Sequence, residues 1–260
     1  MRNKSTVAKY LKRYLDHRSR RRDQLRDTLT ALTERLPETV IFGGMIREVA
    51  LGNTRQFSSD VDIVTQSSSA EINAAIAEFS PIRNKFGGFR FNVGTQLFDI
   101  WSFADTWAFR NGLVFGASFE DILKTTFFNL DAAAYHLQQR KIYCAEFYIT
   151  AVKNRVLDLN LEQNPAPSSM VRRAIRLSIE NSLLITPRLG EYILRNFNSE
   201  NADDMSSMYV EALRRFLAAD TEQNFSFAPQ ATLFNNPAEQ LAIGHCKTTG
   251  TPYSTEIPVY

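Results

Sequence analysis

Asp60 and Asp62 stand one residue apart in the stretch Ser-Asp-Val-Asp-Ile-Val, where acidic and β-branched apolar residues alternate. On a strand, side chains two apart share a face. The two carboxylates therefore point together, and Val61 and Ile63 point the other way, into a core. Like charges held so close repel unless a cation sits between them. Magnesium suits that position, because it takes oxygen ligands and keeps waters that a substrate phosphate can replace. A third acid, Asp99 in Leu-Phe-Asp-Ile-Trp, is flanked by Phe98 and Ile100 and shows the same alternation. If its strand pairs beside that of Asp60 and Asp62, three carboxylates converge. Such a set can hold two Mg2+ ions about 4 Å apart, one at an attacking oxygen and one at a leaving phosphate. Asp99 is also a candidate base for the attacking hydroxyl.

A D-x-D pair is common at strand edges and says little alone. Gly43 and Gly44, upstream in Phe-Gly-Gly-Met-Ile-Arg, make the constellation more specific. Glycines at a strand-to-helix turn let backbone N–H groups approach a phosphate, and the helix N-terminus that follows favours negative charge.

These residues need elements to position them. Thr39–Gly44 reads as a short buried strand, 45–52 as a helix ended by Gly52, and 60–66 as a strand. Residues 69–80 read as a helix stopped by Pro81, and 88–103 as a hairpin turning at Gly94-Thr95. Residues 1–36 read as one basic helix, with leucines from Leu11 to Leu36 at roughly helical spacing. The run 17–26 is its densest basic stretch, either a solvated face or a contact for a phosphate backbone. Stretch 118–139 reads as a turn and then a helix; 168–185, Pro187–Phe197 and Asp204–Ala219 read as further helices. The expected fold class is α+β: a small mixed sheet with packed helices, then a helical C-terminal region. The expected partition is a basic helix at 1–36, a head at 37–140, a helical domain at 141–220 and a tail at 221–260.

Composition sets outer bounds. The 260 residues are 44% apolar, which suits a globular core, and a net charge of +2 gives no overall case for nucleic-acid binding. Two cysteines and three histidines, without metal-ligand spacing, speak against a zinc site and for a reducing compartment. No apolar run approaches the ~20 residues of a membrane span, and the N-terminus lacks an apolar signal segment, so a cytoplasmic protein with no membrane partner is the expectation.

The order glycine pair, helix, D-x-D strand and later acid resembles the polymerase-beta-like nucleotidyltransferase superfamily, and most closely the head of class II tRNA CCA-adding enzymes and bacterial poly(A) polymerases. Gly-Gly-Met-Ile-Arg-Glu-Val-Ala-Leu-Gly (43–52) is similar to the family's glycine motif, with Arg47 kept and Glu48 where the family has Asp. Residues 84–91 are similar to its FGxVxV strand start, 120–135 to its EEDLxRRDFTINAxAY segment and 171–178 to its LRAxRF helix. The resemblance covers roughly residues 37–180. It implies an NTP substrate, Mg2+ and an RNA, tRNA-like acceptor.

There are departures. The family's RRD, with arginines implicated in triphosphate binding, is Thr125, Thr126 and Phe127 here, and its Asn is Asp131. The base-reading EDxxR group aligns with Ala166–Met170, which offers no bidentate edge to a base. Remaining candidates for nucleotide binding are Gly43, Gly44, Arg47, Lys124, Arg173 and Arg176. Each arginine or lysine has a plainer alternative: Arg47 pairing with Asp60 or Asp62, Lys124 as surface charge, Arg173 and Arg176 as one solvated helix face. Phe127 and Phe128 read as core rather than as base-stacking platforms. The expected function is Mg2+-dependent transfer of a nucleoside monophosphate to a hydroxyl, with an RNA 3′ end favoured. The alternatives are a protein or small-molecule acceptor, as in toxin-like relatives, and a non-catalytic head that binds RNA or a partner.

Overall fold

The computed structural model describes residues 3–53 and 60–197. The expected helix 204–219, the tail 221–260 and nearly all of the loop 53–59 lie outside the described residues. Those residues fall into two compact units, divided between Lys153 and Asn154.

The first unit is built on a seven-stranded sheet. Its strands are β1 (Thr39–Phe42), β2 (Val61–Thr65), β3 (Ile82–Arg83), β4 (Phe89–Val93), β5 (Gln96–Ser102), β6 (Ala133–His136) and β7 (Lys141–Cys144). Their order across the sheet is β3-β4-β5-β2-β1-β6-β7. Only β2 and β5 run parallel; the other pairs are antiparallel. A parallel pair needs a crossover, here supplied by α4 (Ser69–Ala75) and the β3–β4 hairpin. β1 lies near the middle and all four of its residues are buried, which suits its sequence of β-branched Thr39, Val40 and Ile41 followed by Phe42. The remaining helices of this unit are α1 (Lys4–Asp16), α2 (Arg20–Arg35), α3 (Gly44–Leu51), α5 (Trp107–Arg110), α6 (Phe119–Ile122) and α7 (Tyr148–Asn154).

The two faces of the sheet have separate cores. Val61, Ile63, Phe98 and Ile100 are fully buried on one face, where Phe91 stacks on Phe98 at 5.1 Å. Phe42, Val64 and Trp101 look to the other face, against Phe103, Phe119, Ile122 and Leu123. Each fully buried side chain of this size contributes about 1.5–3 kcal/mol, so the alternation that puts Asp62 and Asp99 on the face opposite Val61, Ile63, Phe98 and Ile100 also holds their strands in register.

Several expected elements differ. Residues 1–36 form two helices, because His17 and Ser19 adopt extended backbone; Arg22 then lies over the Tyr14 ring at 4.4 Å across the corner. Part of the basic run is thus spent inside the helical pair. Residues 118–139 do not continue as a helix after α6. The Thr125 hydroxyl donates to the Ile122 carbonyl and that of Thr126 to the Leu123 and Phe128 carbonyls, competing with helical hydrogen bonds. Ala133–His136 becomes β6, paired with β1, so sheet pairing overrides alanine's helix propensity. β7 follows as the partner of β6, so the position expected to end the head falls between two paired strands.

The second unit, taken by itself, carries β8 (Val156–Leu157), α8 (Pro167–Asn181), β9 (Leu184–Ile185) and α9 (Pro187–Asn196). The helix expected over 168–185 stops at Asn181, where Ser182 turns left-handed (φ 47°); Leu184–Ile185 then pairs in parallel with β8. Among the described residues no helix is long and apolar enough to cross a membrane.

Candidate active site

One row of Cα partners crosses four strands. Phe42 on β1 is opposite Asp62 on β2, Asp62 is opposite Asp99 on β5, and Asp99 is opposite Arg90 on β4. Partners in such a row share a face, so the parallel pairing of β2 and β5 brings the acids together. Asp60 immediately precedes β2 and completes the group. One carboxylate oxygen from each of Asp60, Asp62 and Asp99 lies within 4.8 Å of the other two. All three side chains remain partly accessible, as a substrate site requires.

Beside them is the glycine turn. Gly43 has φ 67° and ψ −118°, a backbone open essentially to glycine alone. A Cβ at Gly43 would lie 3.8 Å from an Asp62 carboxylate oxygen. Gly43 donates its N–H to the Ala133 carbonyl, which ties the turn to β6. Gly44 opens α3, and the first N–H groups of a helix have no partner within it. The positive end of α3 thus begins next to the acids.

Arg90 is the residue that sequence reasoning missed. Its Nε donates to Asp99 Oδ1 at 2.8 Å and its Nη2 to Asp99 Oδ2 at 2.5 Å. Nη2 also lies 3.7 Å from Asp60 Oδ2. The fork on Asp99, with the charges of Asp99, Asp60 and Asp62 around it, holds the guanidinium pKa far above its ordinary value. The signal was present in the hairpin: a two-residue turn at Gly94-Thr95 sets Val93 opposite Gln96, and counting back sets Arg90 opposite Asp99.

The other candidates have settings of their own. Arg47 faces neither Asp60 nor Asp62. It is 4% exposed and ion-paired with Asp131 and, at 3.1 Å, with Glu48. Burial alone would lower its pKa, but the Asp131 and Glu48 carboxylates outweigh that and the net shift is upward. Lys124 is on the surface, in a 2.8 Å ion pair with Asp121 one helical turn away. Arg173 and Arg176 lie on the exposed side of α8, in the second unit. Thr126, Phe127 and Phe128 are buried, and Phe127 meets Phe128 edge to face at 4.7 Å. Those positions are core and offer nothing to a ligand.

The donor set fits a divalent cation of the magnesium class. Three hard carboxylate oxygens lie within reach of one another, no soft ligand joins them among the described residues, and the site is open enough to keep waters. Asp60, Asp62 and Asp99 are the residues that would hold it.

With sheet order, glycine turn and acid row in place, comparison with solved structures shows a likeness of fold. A CCA-adding enzyme in complex with ATP aligns with a TM-score of 0.55 at 14% identity, over 81% of this chain and 53% of that one. The apo form of a CCA-adding enzyme gives 0.55 at 16%, over 86% and 51%. The Thermotoga maritima CCA-adding enzyme complexed with tRNA gives 0.50 at 15%, over 83% and 56%. The chain spans about half the length of these structures. No protein-family model and no curated protein matches it.

Proposed function

We propose that the chain is a metal-dependent nucleotidyltransferase that moves a nucleoside monophosphate from an NTP to a hydroxyl, with an RNA 3′ end, tRNA-like in kind, as the favoured acceptor. The observation that carries this reading is the convergence of Asp60, Asp62 and Asp99 within 4.8 Å, next to a turn that only glycine can make. The fold shared with CCA-adding enzymes supports the substrate class, and the basic α1–α2 pair supplies charge for an RNA backbone.

In the reaction the acceptor oxygen bonds to the α-phosphorus, the bond from that phosphorus to the β-phosphate bridge breaks, and pyrophosphate leaves with the electron pair. Bound Mg2+, two ions in this reading, supplies charge neutralisation at the attacking and leaving oxygens. Asp60 and Asp62 supply the fixed negative charge that selects the ions. Asp99, joined to them by strand register, takes the hydroxyl proton. The Gly43-Gly44 turn and the start of α3 give the triphosphate backbone N–H partners, a larger share than in the family pattern because Thr125 carries no charge and Thr126 and Phe127 are buried.

That last feature also favours a second reading, a head that binds RNA or a partner without catalysis. One experiment separates the two: the full chain incubated with each labelled NTP, Mg2+, total RNA and total protein. Label is expected in RNA and is expected to fall at least about 100-fold in Asp60→Asn and Asp62→Asn proteins. Label in protein or in a small molecule overturns the RNA acceptor. No label at all overturns the enzymatic reading.

A further inference from the structure

Arg90 stands on the acids in a way the reaction above does not use. We propose that Arg90 is a resident counter-ion of the acid face, held on Asp99 and Asp60 until a divalent cation displaces it, so that metal uptake and release of the guanidinium are one event. This rests on the metal reading of Asp60, Asp62 and Asp99.

The geometry carries the inference in three ways. First, the fork occupies both Asp99 oxygens, at 2.8 and 2.5 Å, so a cation that takes an Asp99 oxygen meets the guanidinium there. Second, the same guanidinium reaches Asp60 at 3.7 Å, so it spans the group that would ligate the ion rather than one acid at its edge. Third, the partners differ in freedom. The Arg90 side chain is 52% exposed and Asp99 only 13%, so the long arginine can swing to solvent while the carboxylate stays in its row. Arg47, by contrast, is locked in the interior by Asp131 and Glu48. A cation near the carboxylates also repels Arg90 directly, an effect that strengthens where water is partly excluded.

An opposing role is open to the same contacts: Arg90 could orient Asp99 and so assist metal binding. The two roles change metal affinity in opposite directions. The test is Mn2+ alone, titrated into the full chain and followed by the loss of free-ion paramagnetic resonance signal, with urea midpoints as a folding check. Arg90→Gln, which removes the charge and the fork, is expected to bind Mn2+ roughly five-fold tighter than the wild-type chain, the order of a half-exposed ion pair lost as competitor. Arg90→Lys, which keeps the charge without the fork and preserves side-chain bulk, is expected between the two. Equal or weaker binding in Arg90→Gln, with the wild type binding normally, overturns this inference and leaves the metal reading standing. Absence of Mn2+ binding in both, or binding unchanged in an Asp60→Asn, Asp62→Asn protein, overturns both.

Discussion

Arg47 and Asp131, 84 positions apart in sequence, meet in a buried ion pair whose side chains are only 5% and 9% exposed. The pair joins the helix that starts at the glycine turn to the turn that leads into β6, and so braces the two flanks of β1. Charge taken from water must be matched by partners, and breaking one side of such a pair is far costlier than replacing both. Asp131→Ala is therefore expected to destabilise the protein by about 3–5 kcal/mol in urea unfolding. Asp131→Asn, which keeps a hydrogen-bond acceptor for Arg47, should cost less. A loss below about 1 kcal/mol in Asp131→Ala would show that Glu48 alone satisfies the guanidinium.

Gly43 makes a separate prediction, because there space and backbone strain disagree. The nearest atom to an added Cβ is the Asp62 oxygen at 3.8 Å, an ordinary contact, while φ is 67°. Gly43→Ala should therefore cost stability through the backbone, by about 1–3 kcal/mol, with a linked fall in nucleotide incorporation as the turn shifts from the acids. Circular-dichroism melts and the labelling assay measure the two effects. Retention of full stability would mean that the turn relaxes without strain.

The acid site was legible because it rests on local rules. The alternation around Asp60–Asp62 and Asp99, and the hairpin at Gly94-Thr95, fix faces and register within a few residues of sequence. What was hidden depends on distant partners. Ala133–His136 reads as helix by propensity and becomes strand only because β1 offers an open edge. Arg47 next to a glycine motif reads as a phosphate ligand until Asp131 is folded against it. The break at His17–Ser19 carries no proline or glycine, and Arg22 over Tyr14 is visible only once the corner exists. Arg90 is the intermediate case: its place followed from the hairpin register, but its importance depended on the acids it faces.

Acid pH should expose the cap that starts α6. The Ser118 hydroxyl receives the Asp121 N–H, and the Asp121 carboxylate accepts from Ser118 in return, from the Ala117 N–H at 3.2 Å and from Lys124 at 2.8 Å. The hydrogen bond from Lys124, then those from Ser118, hold the Asp121 pKa well below the usual carboxylate range. A folded-state pKa below the unfolded one means a contribution fully present above about pH 4 and lost as pH falls below it. Asp121→Ala is expected to be about 1 kcal/mol less stable at pH 7, with the gap to wild type closing below pH 4. Urea midpoints measured between pH 7 and pH 2.5 check this. A gap that stays constant would assign the loss to packing under Gly116, whose backbone sits directly over the Asp121 carboxylate.

Divalent cations should stabilise the fold in proportion to their hold on the acid row. A ligand at 100 times its Kd that binds only the folded state adds about 2.7 kcal/mol, which for a chain of this size raises Tm by about 5–10 °C. Saturating Mn2+ or Mg2+ should give a rise of that order in the full chain, and sodium chloride at matched ionic strength should not, since screening acts on all exposed charge alike. The rise should vanish in Asp60→Asn, Asp62→Asn protein, where the fold keeps its apolar faces but no carboxylate at 60 or 62 joins that of Asp99. An equal rise in that protein would place the bound ion elsewhere and separate the stability of the sheet from the chemistry proposed for its acids.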